Sequence, residues 1–316
     1  MFSFAARAVM LTVVCGCALI VPIQAQEKDA TTGKTAKTKA EPLPAVEQPE
    51  LVTADGVFLH ASYYPSTKGK ESVPVILIHD FKESRKDLAA LALSLQQDGY
   101  AVLVPDLRGH GESTRLKDSK KKLRIKAMPA AAFLPMVSED MEACKKFLLK
   151  ENDAGKLNID KLCLVGLGMG SVVAIDYARA DWSWPQLAHT KQGQDVKAVV
   201  LISPEWSFRA LSMMPALEQP ETLKQIAIMI LVGQRDRKAH GEATRLHTRL
   251  KRSHPKADAK KLEERTLVYA ALPTSLQGTK MLDVPALQVA NHIKLFLKWR
   301  IGAQKLPWKK RIPLPQ

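Results

Sequence analysis

An α/β fold, a mostly parallel sheet covered by helices on both faces, is predicted by three observations. Short, uninterrupted apolar runs alternate with segments of helical spacing, which is the pattern of strands buried on both faces. Glycine- and proline-containing turns separate them. Polar, chemically distinctive residues gather where the strands end. The chain has 316 residues, of which 46% are hydrophobic, enough for one large domain with a substantial core.

The elements follow in order. Val57 to Tyr64 is a predicted strand after the turn Ala54-Asp55-Gly56, and Val75-Ile76-Leu77-Ile78 is a short buried strand. Lys86 to Asp98 places Leu88, Leu91 and Leu95 on one helix face, and Gly99 ends it. Tyr100–Val104 is a strand, Glu139–Lys150 a helix, Lys161–Val165 a strand and Gly170–Ala180 a helix. Val196–Ile202 and Ile226–Val232 are strands, with a polar helix over Gly241–Arg252. Arg265–Ala270 is the last strand and Val284–Arg300 the last helix.

The flanks have a different composition. Residues 1–25 carry Arg7 and then an apolar run, Ala8 to Ile23, with Ala25 offering a cleavage site; this is a secretory signal pattern, or an anchor if uncleaved. Cys15 and Cys17 fit a lipidation motif poorly. Residues 26–50 lack large apolar side chains over most of their length and are expected to form a disordered linker. The domain proper spans 51–302, and 303–316 is a basic, proline-containing tail expected on the surface. Export implies an oxidising compartment, yet Cys144 and Cys163 fall in a helix and a buried strand, so two unpaired core thiols are expected.

Formal net charge is +15, which points to anionic neighbours outside the cell interior, an anionic membrane or an acidic polysaccharide. The densest basic run contains Arg115, Lys117, Lys120, Lys121, Lys122, Arg124 and Lys126, and leads into the apolar stretch Met128–Pro135. A solvated loop beside a buried patch explains the same run equally well. No glycine-rich or stacked-aromatic nucleic-acid signature is present, no histidine spacing fits a metal, and no cofactor is called for.

The strand ends carry the chemistry. "VILIHDFKESRKDLAALALSLQQDGYAVLVPDLRGHGES" resembles the α/β-hydrolase superfamily, nearest its serine-aminopeptidase and monoacylglycerol-lipase-like branch, and the likeness extends over about residues 51–302. The resemblance implies an α/β-hydrolase fold with a nucleophile at the centre of G-x-S-x-G. Here the five residues are Gly166-Leu167-Gly168-Met169-Gly170, so the nucleophile slot holds Gly168, which has no atom that can attack. Asp236 in "ILVGQRD" fits the acid slot. The histidine slot after the last strand is most simply Gln277, whose amide cannot shuttle a proton. The family's His-Gly after the third strand reads His79-Asp80, and a carboxylate there opposes a developing oxyanion unless it points away.

Other readings are weaker. Gly166-x-Gly168 also resembles a dinucleotide loop, with Ser171 in the third-glycine place, but the acidic residue required about 20 positions on is missing. Ser171 reads as a small packing residue and Ser203 as a serine without a base. Asp106 and His110 read as loop-forming residues. Trp206, Phe208, Met213 and Met214, in a short cap segment, could line a cavity or pack over the sheet edge. His79, Asp80, Phe81, Gly168 and Met169 are the candidate ligand-binding residues, for a small apolar ligand. The expectation is therefore an exported, non-catalytic binding protein. The alternative is a hydrolase of esters or peptides with an unorthodox site, using His79 or Asp236 with water.

Overall fold

The structure is a computed structural model that describes residues 42–185, 187, 191–302 and 304–311. The expected signal and most of the expected linker, residues 1–41, lie outside the described residues.

Eight strands form the continuous path of the main sheet, in the order β1-β2-β4-β3-β6-β7-β10-β11. These are β1 (Glu50–Val52), β2 (Val57–Tyr64), β3 (Pro74–Ile78), β4 (Ala101–Pro105), β6 (Leu162–Leu167), β7 (Val196–Ile202), β10 (Ala227–Gly233) and β11 (Leu267–Leu272). A ninth, β5 (Arg115–Leu116), pairs with β2. β3, β4, β6, β7, β10 and β11 run parallel; β2 is antiparallel to β4 and to β1. β8 (Ser207–Phe208) and β9 (Leu211–Ser212) make a separate small hairpin. The central strands β3, β4, β6 and β10 are buried along their whole length, and β7 everywhere but Lys197, because both faces are covered.

The two faces build two cores by alternation along each strand. Val75, Leu77 and Val165 pack on one face against Leu91 and Leu95 of α1 (Ala89–Gln97) and Ile293 and Phe296 of α7 (Val289–Leu297). Ile76, Ile78 and Leu164 pack on the other against Leu148 of α2 (Met141–Asp153), Val172 of α3 (Met169–Ser183) and Leu246 of α6 (Arg237–Lys251). Each such side chain, fully removed from water, stabilises the fold by about 1.5–3 kcal/mol. Two short helices, α4 (Met214–Leu217) and α5 (Pro220–Leu223), complete the cap region. Cys144 and Cys163 are free and buried, as expected.

Two flanks differ from expectation. Residues 42–49, placed in the linker by composition, lie along β2: Glu47 and Tyr63 exchange backbone hydrogen bonds of 2.8 Å, and Gln96 Nε2 donates to Pro44 O. Backbone pairing orders a segment that has few apolar side chains to bury. The C-terminal tail does run over the surface, but it is tied down as far as Arg311. Asn158 and Asn152 donate to the carbonyls of Leu306 and Lys309, and Arg311 pairs with Asp160 and Asp195. Asp195 also pairs with buried Lys145, so the tail cation completes a network of internal charges.

Candidate active-site cleft

Because six strands are parallel, their carboxyl ends open onto one edge, where a cleft of about 660 Å³ lies over Gly168. Gly168 joins β6 to α3 with φ +50° and ψ −115°, a left-handed turn that strains any residue with a Cβ. Its flanking glycines permit the close strand–helix approach, since a Cβ on Gly166 would fall 2.2 Å from Gly170 O and one on Gly170 2.3 Å from Ile78 O. The elbow therefore has its full backbone shape.

What fills it is the side chain of Asp80. A Cβ on Gly168 would lie 2.2 Å from both Cγ and Oδ2 of Asp80, so the carboxylate occupies the volume of the missing side chain. Asp80 Oδ1 accepts hydrogen bonds from the Phe81 amide at 2.7 Å and the Met169 amide at 2.8 Å. Those are a residue of the β3 loop and the residue after the nucleophile slot Gly168, the two sources from which an oxyanion hole takes its amides. The carboxylate does not point away. It sits in the hole as a resident anion.

Gln277 is locked by its neighbours. Its Oε1 accepts from Ser203 Oγ at 2.6 Å and from the Gly233 amide at 3.2 Å, and its Nε2 donates to Gly233 O at 2.9 Å. Ser203 Oγ in turn accepts from the Gly278 amide at 2.9 Å. The amide thus stitches together the loops after β7, β10 and β11. Ser203 holds φ +49°, and its proton is directed at an amide oxygen, not at a base. Asp236 caps α6: its Oδ1 accepts from the amides of Lys238 and Ala239, both at 3.0 Å.

The structure brings Gly168, Asp80, Gln277 and Asp236 to one cleft. It removes three of the expected ligand-binding side chains. His79 is fully buried, with Nδ1 bonded to Asp80 O at 2.7 Å and Nε2 accepting from the Leu107 amide at 3.1 Å. Both ring nitrogens are spent on backbone, and burial holds the imidazole below its usual pKa, so it is a neutral architectural group. Met169 is buried, and Phe81 turns its ring into a cluster with Phe133 and Phe208. Of the cap residues, only Trp206 lines the cleft; Phe208 packs in that cluster. Ser171 is buried and donates to Gly166 O at 2.7 Å, a packing role.

The cleft walls are polar. Asp80, Glu83, Glu205, Asp236 and Glu242 face Lys238, Arg245 and Lys280, and no histidine or cysteine lines the cleft among the described residues. Burial raises the Glu83 and Glu205 carboxyls above the usual range; for Glu205 the charges of Asp80 and Glu242 add to the shift. These walls do not match the apolar ligand expected from sequence. The carboxylates were missed because Glu83, Glu205 and Glu242 sit in three separate loops or helices with no motif spacing; position after a strand end was the only available signal. None of Arg115, Lys117, Lys120, Lys121, Lys122, Arg124 or Lys126 lines the cleft. That run leaves from β5 at the β2 side of the sheet, and all seven side chains are exposed. No group of residues suited to hold a metal ion occurs among the described residues.

Comparison with known proteins agrees with this fold. A family model described as serine aminopeptidase, S33, matches residues 69–224. An esterase of Pyrococcus furiosus is similar over 82% of this chain and 93% of its own, at 18% identity and a TM-score of 0.55. A dienelactone hydrolase of Anabaena variabilis covers 81% of this chain and 99% of its own, at 16% identity and a TM-score of 0.54. Among curated proteins, none matches the sequence.

Proposed function

The chain belongs to the α/β-hydrolase superfamily, and from that premise we propose that it is an exported, catalytically silent member that binds a polar ligand in the cleft over its elbow. The observation that carries this reading is the Asp80 carboxylate in the elbow, bonded to the amides of Phe81 and Met169. Serine-hydrolase chemistry needs a nucleophile, a base and an empty anion hole. At this elbow there is no nucleophile side chain, the candidate base position is an amide, and the hole already holds a negative charge that would repel a tetrahedral oxyanion. Loss of the nucleophile or of the histidine by itself removes most of the acceleration in such enzymes. The five carboxylates along the walls favour a ligand carrying a cationic group.

A second reading, hydrolysis by an unorthodox site, draws support from the raised Glu83 and Glu205 carboxyls, since a carboxyl kept protonated can donate a proton. Esterases similar in fold are consistent with either reading. One experiment separates them. The purified protein is expected to resist labelling by a fluorophosphonate probe and to leave small p-nitrophenyl esters intact across the pH range. Labelling, or turnover that disappears in Glu83→Gln or Glu205→Gln, overturns the silent reading. Gly168→Ser combined with Asp80→Gly and Gln277→His is expected to accept the probe, whereas Gly168→Ser by itself is not.

A further inference from the structure

The exposed face of α6 and its C-cap residue carry Arg245, Arg249 and Arg252, spaced four and three residues apart and so aligned along one stripe. All three are exposed, and among the described residues none pairs with a carboxylate. The Arg245 guanidinium lies 4.6 Å from the Trp206 ring centroid. A groove of about 800 Å³ runs between that ring and the stripe, with His240 and Thr248 in its wall and no carboxylate lining it. It lies beside the acidic cleft, with Trp206 and Arg245 forming part of both walls.

The run at 115–126 holds more cations but is built differently. Arg115 is taken up by Glu50 and by the Phe58 ring, and Asp118 interrupts the positive series. Its cations stand on an open loop, whereas those of α6 are held on a rigid helix at fixed spacing beside an aromatic wall.

We propose that the α6 groove is the docking site of a linear carboxylated polysaccharide. Guanidinium forks match carboxylates in a two-pronged geometry, which a lysine cluster does not offer. From Arg245 to Arg252 the stripe extends about 10 Å at 1.5 Å per residue, so its ligand presents successive anions along a chain. One indole, its N–H already donating to Glu242 O at 3.2 Å, supplies an apolar wall for one sugar ring and not a series of platforms for bases. The proposal does not depend on whether the cleft is catalytic.

The test uses the intact protein and polygalacturonate, with affinity measured by calorimetry at low and high salt. Wild type is expected to bind in a salt-sensitive manner. Arg245→Glu with Arg249→Glu and Arg252→Glu should weaken binding by more than about tenfold, while Lys120→Glu with Lys121→Glu and Lys122→Glu leaves it within about twofold. The neutral pair Arg249→Gln and Arg252→Gln, which changes only exposed side chains, guards against misfolding and should still lose several-fold with an unchanged melting temperature. No binding by wild type overturns the proposal. So does full binding by either arginine variant, loss confined to the lysine variant, or tighter binding of anionic vesicles or single-stranded DNA than of polygalacturonate.

Discussion

The loop Asp106–Ser113 and the elbow Gly166–Gly170 carry the two strongest motifs of the sequence, and they have met different fates. In the loop the charged side chains and the serine of the motif are all in use. Buried Asp106 accepts from the amides of Arg85 at 2.7 Å and Glu112 at 2.9 Å and pairs with the Arg85 guanidinium. Arg108 bridges buried Asp140 and half-exposed Asp55, and Ser113 Oγ donates to Asp106 O at 2.7 Å. In the elbow the backbone shape persists while the reacting group is missing and a carboxylate from β3's loop has taken its volume. The loop holds the fold and the elbow once-expected chemistry; scaffold and chemistry are separable even within one sheet edge.

The largest expected effect lies in the loop. Arg108→Ala strands Asp140 as an uncompensated buried charge and should cost about 3–5 kcal/mol in urea unfolding. A loss under about 1 kcal/mol would show the loop to be dispensable, and the contrast with the elbow would disappear.

In the elbow, Gly168→Ala should cost about 1–3 kcal/mol, from left-handed strain and collision with Asp80. Asp80→Gly should cost about 1–2 kcal/mol by leaving two amides without a protein acceptor. The double variant should cost less than the sum, because removing the carboxylate relieves the collision. Strict additivity of the two losses would mean that Asp80 does not occupy the elbow.

The pH response sharpens the contrast further and is expected to be smallest. Burial pushes His110 down to about 3 and His254 down to about 4. Unfolded, each imidazole binds a proton near pH 6.5, so the unfolded chain holds more protons and stability falls as pH drops from about 6.5 toward 3. His110→Gln should flatten the fall of the melting temperature over that window. An unchanged slope would remove the loop histidine as a source of acid lability.

Much of the fold was legible locally. Strand and helix periodicity depends on neighbours in sequence, and Val57–Tyr64 and Val196–Ile202 emerged at the residues expected. Other boundaries moved by a few residues; the polar helix begins at Arg237, where Asp236 caps it, not at Gly241. The slots Gly168, Asp236 and Gln277 were placed by motif, and all three line the cleft.

By itself, then, the sequence determined the strand–helix alternation, the thiols' burial and the glycine at the turn's summit, because each is written in spacing or in one side chain's chemistry. Tertiary structure alone decided where Asp80 points, that both nitrogens of His79 are consumed, and that Arg311 completes a buried charge network from far along the chain. These depend on contacts between segments separated by tens to hundreds of residues, and a hydrogen bond to a distant amide leaves no periodic trace in the order of residues.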